Sequence, residues 1–456
     1  MTQLADPADL ATLPQPPAVR MPFRQLMHTM RDFHTAGEIF RDSAGPVATT
    51  HLGPFTPPVV WVASPQGAHD VLANHDGAVD KTNTSAVQAR LLAGDSVFSL
   101  PNDPWRPRRR LLQPLFTRHH VELFTGHMAA ASRQVADAWR DGQVLDIDAE
   151  ARRLTLRVLG RSLFGLDLDE QAERLAAPAK VLLSYTSDRM MSPVRLPLWL
   201  PTPQQHRWRK ARGIIDALLD GAIASARARP GSAELLDLLL AATDPETGRR
   251  LTHDEVRSEL TTFLLAGHDT TATTLSYSLW QLGRRPALQA AVREEATDLG
   301  RQPTLADIRR LPLTTRVVHE SLRLCPPAAA VGRLVERDLS VDGYRVAAGS
   351  EVLVSIWALH RDPAIWGADV LEYEPDRFLP ERSRGRSRWA YLPFGGGVRS
   401  CLGDHFAMTE AVVALATLVR EVELVSLDDV FDVAVPFTLT AARPVPVRVR
   451  RREPVP

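Results

Sequence analysis

Residues 394–403 carry the segment that most strongly limits what this chain can be, Phe394-Gly-Gly-Gly-Val-Arg-Ser-Cys401-Leu-Gly403. Its three consecutive glycines let the backbone adopt unusual torsion angles and come close to a flat partner. Cys401 follows them at the predicted start of a helix, near Leu402, where free N–H groups and the positive end of the helix dipole stabilise a thiolate. The segment therefore predicts a cysteine with chemistry of its own.

Cys401 has two interpretations. A cysteine taken alone is most often a buried structural residue, here beside a flexible loop. A thiolate held by backbone N–H groups next to a glycine-walled gap is, in contrast, suited to be an axial ligand of haem iron. The combined spacing of aromatic, glycine, arginine and cysteine residues favours the haem ligand; the residues are Phe394, Gly397, Arg399, Cys401 and Gly403.

The composition excludes several classes of protein. The chain has 456 residues, and its 54 basic residues balance 54 acidic ones. Zero net charge argues against a nucleic-acid-binding protein, and two cysteines are too few for a disulfide-built domain or a Cys-based zinc module. The second cysteine, Cys325, has no glycine loop and is interpreted as a buried small hydrophobe. Only three lysines beside many arginines suggest a GC-rich bacterial source.

The N-terminus and the domain organisation are read from composition. Residues 1–20 are Pro-rich and predict an extended, partly mobile arm. They lack the basic and apolar regions of a signal peptide, and no stretch approaches the roughly 20 apolar residues of a membrane span. Since no repeat or low-complexity linker follows, residues 21–456 are interpreted as a single domain. We expect a cytoplasmic protein without a membrane anchor.

The fold class is predicted to be mainly α with a small β part. From about residue 108 to residue 323, apolar residues recur at helical spacing. The capping box Thr252-His-Asp-Glu255 predicts the start of a long helix over 252–283, which Pro286 is expected to close. A further helix is expected to end at the prolines of 321–327. Strand-like stretches are Pro58–Ala63, Tyr344–Val346 and Glu351–Ile356.

The segment Ala266-Gly-His-Asp-Thr-Thr271 is unusual for the long apolar helix that contains it. A carboxylate such as Asp269 is costly there unless it is paired or neutral, and Gly267 costs about 1 kcal/mol relative to Ala. One interpretation is structural: Thr270 bonds back to a carbonyl and Asp269 meets an arginine. The other is chemical, because a carboxylate beside a hydroxyl can relay protons through water.

The cysteine segment resembles the haem-binding loop of the cytochrome P450 superfamily. The resemblance implies the P450 fold, a single large α-rich domain with small β-sheets, and haem b as cofactor. It implies Cys401 as the proximal thiolate ligand of the iron and Arg399 as a partner of a haem propionate. Phe394 and Gly403 belong to the same loop.

Residues 266–271 resemble the acid–alcohol motif of that superfamily. The resemblance implies that Asp269 and Thr270 deliver protons to reduced dioxygen. It also implies that Ala266 and Gly267 face the haem and leave room for oxygen.

Further segments match the superfamily in the expected order. Trp105-Arg-Pro-Arg-Arg109 resembles its W-x-x-x-R element, which implies Trp105 and Arg109 as propionate partners. Arg333 occupies a place where relatives often keep another propionate arginine. Glu320-Ser-Leu-Arg323 and the later Arg377 resemble its structural Glu/Arg/Arg triad; the residues are Glu320, Arg323 and Arg377.

Two local expectations concern the surroundings of these motifs. Arg106, Arg108 and Arg110 are predicted to form a basic docking face for an acidic electron-transfer protein, the other interpretation being a basic helix end on the surface. Pro107 predicts that its helix starts slightly late. His405, four residues after Cys401, is interpreted as structural, since two ligands alone are weak evidence for a metal site.

The function implied by the resemblance is that of a haem-thiolate monooxygenase of secondary metabolism. It would activate O₂ and insert one oxygen atom into an apolar terpenoid, fatty-acyl, steroid or polyketide-like molecule, with electrons from an external ferredoxin and ferredoxin reductase. Residues expected to line the substrate pocket, each of which could instead be ordinary core, are Val97, Leu100, Leu265, Ala329, Val331, Phe437 and Thr438.

Two alternatives stay open. A peroxide-driven haem-thiolate peroxygenase would need no electron partner, but relatives of that kind usually lack the acid–alcohol pair. A non-catalytic haem sensor or ligand-binding protein would not need that pair either. The presence of both Asp269 and Thr270 therefore favours the monooxygenase.

Overall fold

The computed structural model describes residues 7–51, 53, 56–74, 76–164, 169–192, 196–231 and 234–451. The α-helices are α1 Pro7–Thr12, α2 Phe23–Thr29, α3 Phe33–Ala44, α4 Pro65–Leu72, α5 Thr84–Ala93, α6 Asn102–Leu112, α7 Arg118–Glu122, α8 Thr125–Ala138, α9 Ile147–Phe164, α10 Asp169–Met191, α11 Pro203–Ala228, α12 Glu234–Ala241, α13 His253–Gly283, α14 Pro286–Glu295, α15 Leu305–Arg309, α16 Pro312–Leu324, α17 Ile356–His360, α18 Pro363–Trp366, α19 Pro380–Ser383 and α20 Asp404–Glu421.

The strands are short. They are β1 Val47–Thr50, β2 Val59–Val62, β3 Val79–Asp80, β4 Val144–Asp146, β5 Ala330–Val335, β6 Leu339–Val341, β7 Tyr344–Val346, β8 Glu351–Ser355, β9 Val422–Ser426, β10 Val433–Ala434, β11 Thr440–Ala441 and β12 Pro446–Arg451. The expected class, mainly α with a small β part, is confirmed. The described residues form two compact units, and unit 1 takes those within Met1–Val87, Leu100–Asn102 and Leu322–Leu402. Unit 2 takes those within Gln88–Ser99, Asp103–Ser321 and Gly403–Pro456.

Unit 1 is built on a five-stranded sheet in the order β1-β2-β8-β5-β3, in which only β2 and β8 run parallel. The run Val-Val-Trp-Val of β2 is buried throughout. Successive side chains of a strand point to opposite faces, so Trp61 packs against the rings of Phe33 and Phe40, whereas Val60 and Val62 belong to a separate core cluster. Both faces of the sheet are therefore covered, as a continuous apolar strand predicts.

Unit 2 is organised around α13, which packs against α9, α11, α14 and α20. The predicted capping box begins this helix: the side chain of Thr252 accepts from the backbone of Glu255, and Glu255 bonds back to the cap. A three-stranded sheet, β4-β12-β9, belongs to the same unit. Within the described part of the chain, no helix has the length and apolarity to cross a membrane.

Two boundary predictions are wrong. Pro286 does not close α13, which already ends at Gly283; it is the first residue of α14, where its missing N–H leaves no helical hydrogen bond unmade. The N-terminal arm is not extended throughout, because Pro7 begins the short helix α1. Val19 then donates its N–H to the carbonyl of Thr49, at 2.9 Å, so this part of the arm is held beside β1. Residues 1–6 lie outside the described residues, and the single domain over 21–456 stays a prediction.

Candidate functional site

The cysteine loop lies in unit 1, before α20. The backbone N–H of Cys401 donates to the carbonyl of Phe394 at 2.8 Å, and the N–H of Ser400 donates to that of Gly397 at 3.2 Å. These bonds close the loop on itself, and Cys401 remains an exposed residue. Gly403 is the cap of α20, so the cysteine precedes the helix by three residues.

Gly397 is required by the backbone of the loop. Its φ is +69°, and a Cβ at this position would lie 1.7 Å from the carbonyl oxygen of Leu72, the last residue of α4. No side chain fits at that distance, and the torsion also disfavours L-residues. The glycine thus allows the loop to pack directly on the main chain of α4.

Arg399 is directed into a polar cluster of the same unit. Its side chain is 6% exposed and ion-pairs with Asp80 at 3.4 Å. It donates to the carbonyl of Leu100 and to the side chain of Asn102, each at 2.8 Å. Asp80 also accepts from the backbone N–H of Asn102, at 2.9 Å.

Arg333 and Lys81 complete this cationic cluster, which we define as Lys81, Arg333 and Arg399 around Asp80. Arg333 is buried, and burial lowers its pKa to about 10, although Asp80 opposes the shift. Burial and the charges of Arg333 and Arg399 hold the pKa of Lys81 well below its usual range. An anion that approaches this cluster would stabilise the charged forms that burial disfavours. Lys81 was missed by sequence reasoning, and its rarity as one of three lysines was the only signal.

The middle of α13, in unit 2, is accessible along one face only. Ala266 is exposed, and Phe263, Gly267 and Thr270 are partly so, whereas the residues between them are buried. Their spacing of three and four residues defines one stripe of a helix. Ala266, Gly267 and Thr270 thus share a face; that Ala266 and Gly267 face a haem stays a prediction. Gly267 also has a packing reason, because a Cβ there would come 3.1 Å from the side chain of Leu159 on α9.

Asp269 lies behind that stripe. Its side chain is 9% exposed and forms an ion pair with Arg152 of α9, and it accepts a hydrogen bond from the hydroxyl of Thr438. Arg152 also pairs with Asp148, at 2.8 Å. Burial lowers the pKa of Arg152, but the charges of the two carboxylates outweigh it and the pKa is raised.

Thr270 presents its hydroxyl on the accessible stripe. The hydroxyl donates to the carbonyl of Ala266 at 2.7 Å. Both contacts of the structural interpretation are therefore present, an arginine at Asp269 and a carbonyl at Thr270. The proton-relay role stays a prediction, and it requires Asp269 to change rotamer before it reaches the stripe.

The arginines of α6 do not form the predicted basic face. The side chain of Arg108 is 5% exposed and pairs with Glu255 and Glu259 of α13. Arg110 pairs with Asp244 and Glu246, at 2.7 and 2.6 Å. The prediction is wrong because carboxylates distant in sequence neutralise these cations.

The remaining α6 predictions concern Trp105, Arg109 and Pro107. Trp105 is buried, and Arg109 donates to the side chain of Gln113 at 2.6 Å. Pro107 lies inside the helix, which starts at Asn102, so the late start predicted from the proline is wrong. The proline is accommodated in the second turn of the helix.

The triad residues are buried. Arg323 donates to the carbonyls of His360 and Val370, at 2.9 and 2.7 Å. Arg377 donates to the carbonyl of Trp366 at 2.8 Å and pairs with Asp369. The two arginines thus hold the main chain of residues 360–377, and Glu320 is buried on the same helix as Arg323.

The expected pocket residues divide between the two units. In unit 2, Val97, Phe437 and Thr438 are partly exposed and Leu265 is buried; in unit 1, Leu100 and Ala329 are buried and Val331 is partly exposed. The ring of Phe437 lies 6.2 Å from that of Phe98, a residue not predicted. Cys325 is buried, as expected. No cluster of three His, Cys, Asp or Glu residues suited to a metal occurs in the described ranges, His405 included.

A mainly α fold, an accessible cysteine in a glycine-bounded loop and a buried cationic cluster are typical of haem-thiolate proteins. The chain belongs to the cytochrome P450 family, whose model "Cytochrome P450" matches residues 14–440. It is 35% identical over 339 residues to cyclooctat-9-en-7-ol 5-monooxygenase of Streptomyces melanosporofaciens, covering 73% of each chain. It is 32% identical over 402 residues to pentalenene oxygenase of Streptomyces avermitilis, covering 87% of this chain and 86% of the relative.

The fold agrees with this assignment. A crystal structure of the cytochrome P450DA heme domain superposes with a TM-score of 0.85 at 26% identity, covering 97% of this chain and 99% of that one. The predicted P450 fold and the predicted resemblance to the P450 superfamily are both confirmed. The chain is an oxidoreductase of the P450 monooxygenase family.

The residues of unit 1 fit the haem that this family implies. Cys401 is an exposed cysteine, as a metal ligand must be, and Arg399 stands two residues before it in the sequence. Burial and like charges disfavour the charged forms of Lys81 and Arg333, and the propionate carboxylates of a haem would stabilise those forms.

Proposed function

We propose that this chain is a haem-thiolate monooxygenase that holds haem b through the thiolate of Cys401 and oxygenates an apolar small molecule. The observation that carries the proposal is the pairing, within unit 1, of the accessible Cys401 with the buried cationic cluster. A bound haem with a thiolate ligand supplies dioxygen activation and favours O–O cleavage.

The chain's own residues would bind and orient the cofactor. Arg399, Arg333 and Lys81 would hold propionate oxygens, since burial lowers the pKa values of Arg333 and Lys81 and an anion stabilises their charged forms. Trp105 and Arg109, on α6, are proposed as further propionate partners. The bond from the N–H of Cys401 to Phe394 would keep the sulfur in a fixed position.

Thr270 and Asp269 are proposed to handle protons. The Thr270 hydroxyl uses its own hydrogen on the Ala266 carbonyl, so its oxygen can accept from a water on the accessible stripe. Asp269 is held away from that stripe by its contacts with Arg152 and Thr438. It would supply a proton only after it leaves these partners.

The substrate is proposed to be terpenoid-like, in preference to the fatty-acyl, steroid and polyketide-like classes. The support comes from the relatives, whose names specify an unsaturated alcohol and an unsaturated hydrocarbon. The aromatic side chains of Phe263, Phe98 and Phe437 suit such a molecule.

Electrons are proposed to come from an external, acidic ferredoxin and its reductase. Arg382, Arg384 and Arg388 are exposed, and in the described residues they form no ion pair. Arg388 borders a cavity of about 460 Å³ that is also lined by the cysteine loop, residues 395–398. This surface, residues 382–388 with 395–398, replaces the arginines of α6 as the proposed docking face.

The ligand assignment is tested by spectroscopy of purified variants. Cys401→Ser should abolish the thiolate-type spectrum of the reduced CO complex, because serine oxygen is a poor donor to ferrous iron. Cys325→Ser should leave that spectrum unchanged, because Cys325 is buried and is not flanked by a glycine-rich loop. A thiolate-type spectrum in Cys401→Ser would refute the assignment, and turnover with peroxide but not with reductant would refute the electron-partner proposal.

A further inference from the structure

We propose that Glu259 is a positioning residue for the substrate site: its buried carboxyl group holds residues 94–99, and with them the ring of Phe98, against Phe437. We name residues 94–99 the 94–99 turn. The inference rests on the proposed function insofar as these two rings belong to the substrate pocket. All of the residues concerned lie in unit 2.

Glu259 stands at one end of the accessible stripe of α13. It precedes Phe263 by four residues, so it continues the face formed by Phe263, Ala266 and Thr270. Unlike them, it is completely buried, at 0% exposure. A carboxyl group without solvent must be compensated by the groups that cover it.

Two elements provide that compensation. Arg108 of α6 donates to Glu259 at 2.6 Å. The backbone N–H of Val97 lies 2.9 and 3.2 Å from the two carboxyl oxygens. Arg108 also donates to the carbonyl of Asp95, at 3.4 Å, so the arginine and the carboxyl group bind the same turn.

The 94–99 turn is otherwise held by its own bonds. Gly94 has a φ of +68°, and its carbonyl accepts from the Ser99 hydroxyl at 2.6 Å. The N–H of Ser96 donates to that hydroxyl at 3.2 Å. Because the turn is compact, a displacement of Val97 from Glu259 carries Phe98 with it, and the contact of Phe98 with Phe437 changes.

The carboxyl group also makes the contact sensitive to pH. Burial raises the pKa of Glu259 to about 7, although Arg108 and the Val97 N–H act in the opposite direction. The other charged groups of this network are Glu255, which shares Arg108, and Arg249, which pairs with Glu255. The carboxyl group of Asp95 pairs with Arg90 instead.

The direction of the effect follows from linkage. If the turn opens, Glu259 becomes hydrated and its pKa falls towards the ordinary value of about 4.3. The closed turn therefore binds a proton that the open turn releases between about pH 4.3 and 7. The equilibrium constant for opening should rise by up to about tenfold per pH unit in that interval and level off above it.

Amide hydrogen exchange of Val97 in the haem-loaded protein measures this opening directly. The measured exchange rate is first corrected for the intrinsic rate of a free amide. The opening constant obtained in this way should, for the wild type, rise with pH up to about pH 7 and then stay constant. Glu259→Gln keeps an acceptor for Val97 but cannot titrate, so its opening should not depend on pH. Glu255→Gln, which keeps the capping box and also faces Arg108, should retain the rise, with the plateau beginning at a lower pH because the charge of Glu255 raises the pKa of Glu259.

A wild-type profile as flat as that of Glu259→Gln would overturn the inference, as would loss of the step in Glu255→Gln. Circular dichroism checks that each variant is folded, and Glu259→Asp, which still titrates, should restore a step if Glu259→Gln is poorly folded.

The link to the substrate site is tested with 4-phenylimidazole, an aromatic azole that coordinates ferric haem. The azole itself takes up a proton at low pH, but this affects both proteins equally. We therefore compare the ratio of its Kd for the wild type to its Kd for Glu259→Gln. The ratio should change across pH 5 to 7, and a constant ratio would overturn the link. Absence of any azole spectrum would instead count against the proposed haem site, while the exchange experiment would still decide the role of Glu259.

Discussion

At the scale of single residues, the glycines of the cysteine loop serve different purposes. Gly395 and Gly397 share a φ of +69°, a torsion that L-residues rarely adopt. Around Gly395 a Cβ would meet open space, whereas at Gly397 it would meet the main chain of Leu72. Main-chain atoms cannot move aside as a flexible side chain can, so only Gly397 is needed for the packing of the loop on α4.

This difference predicts the result of two matched substitutions. Gly395→Ala introduces only the torsional penalty, about 1 kcal/mol. Gly397→Ala adds the contact with Leu72 and should lower the free energy of unfolding by more than about 2 kcal/mol, with loss of bound haem. Urea unfolding and the haem content per chain measure both effects. Equal losses in the two variants would contradict the role assigned to the Leu72 contact.

At the scale of elements, α6 is joined to α13 by buried charges. Arg108 compensates two carboxylates of α13, Glu255 and Glu259, and Glu259 has no exposure to water. Such a pair contributes little relative to an apolar contact, but removal of one partner leaves a buried charge uncompensated. Arg106, on the same helix, is exposed and forms no ion pair within the described residues.

Arg108→Met should therefore destabilise the protein by about 3–5 kcal/mol at pH 8. Arg106→Met, the matched control, should change stability by no more than about 0.5 kcal/mol. The loss in Arg108→Met should be smaller at pH 6, because Glu259, whose pKa of about 7 rises further without the arginine, then carries a proton. Thermal and urea unfolding at the two pH values measure the loss of unfolding free energy. An equal loss at both pH values would show that Glu259 is not the group left uncompensated.

The same helix shows what the sequence could and could not predict. The capping box of α13 was predictable because Thr252 and Glu255 are three residues apart and bond locally. The partners of Arg108 and Arg110 lie 134 to 151 residues away, and no local pattern encodes such pairs. The cysteine loop was found through its spacing, whereas Lys81 joins its cluster only because β3 pairs with β5 in the folded sheet.

At the scale of the whole molecule, zero net charge conceals an uneven distribution of charge. Carboxylates neutralise Arg108 and Arg110, whereas Arg382, Arg384 and Arg388 are exposed to solvent. Exposed charges of one sign steer an oppositely charged protein and raise its association rate. An acidic electron carrier should therefore recognise residues 382–388, next to the cysteine loop, rather than α6.

The double substitution Arg384→Glu and Arg388→Glu tests this surface. An acidic plant-type [2Fe–2S] ferredoxin serves as the electron donor, and stopped-flow reduction of the haem under CO measures the rate. At low ionic strength the rate should fall by about tenfold or more, because attraction becomes repulsion, and added salt should narrow the difference. Arg106→Glu, which reverses an exposed charge on α6, should change the rate less than about twofold. Arg388→Glu alone matches Arg106→Glu in the number of charges reversed, and a larger effect of Arg106→Glu than of Arg388→Glu would return the docking face to α6.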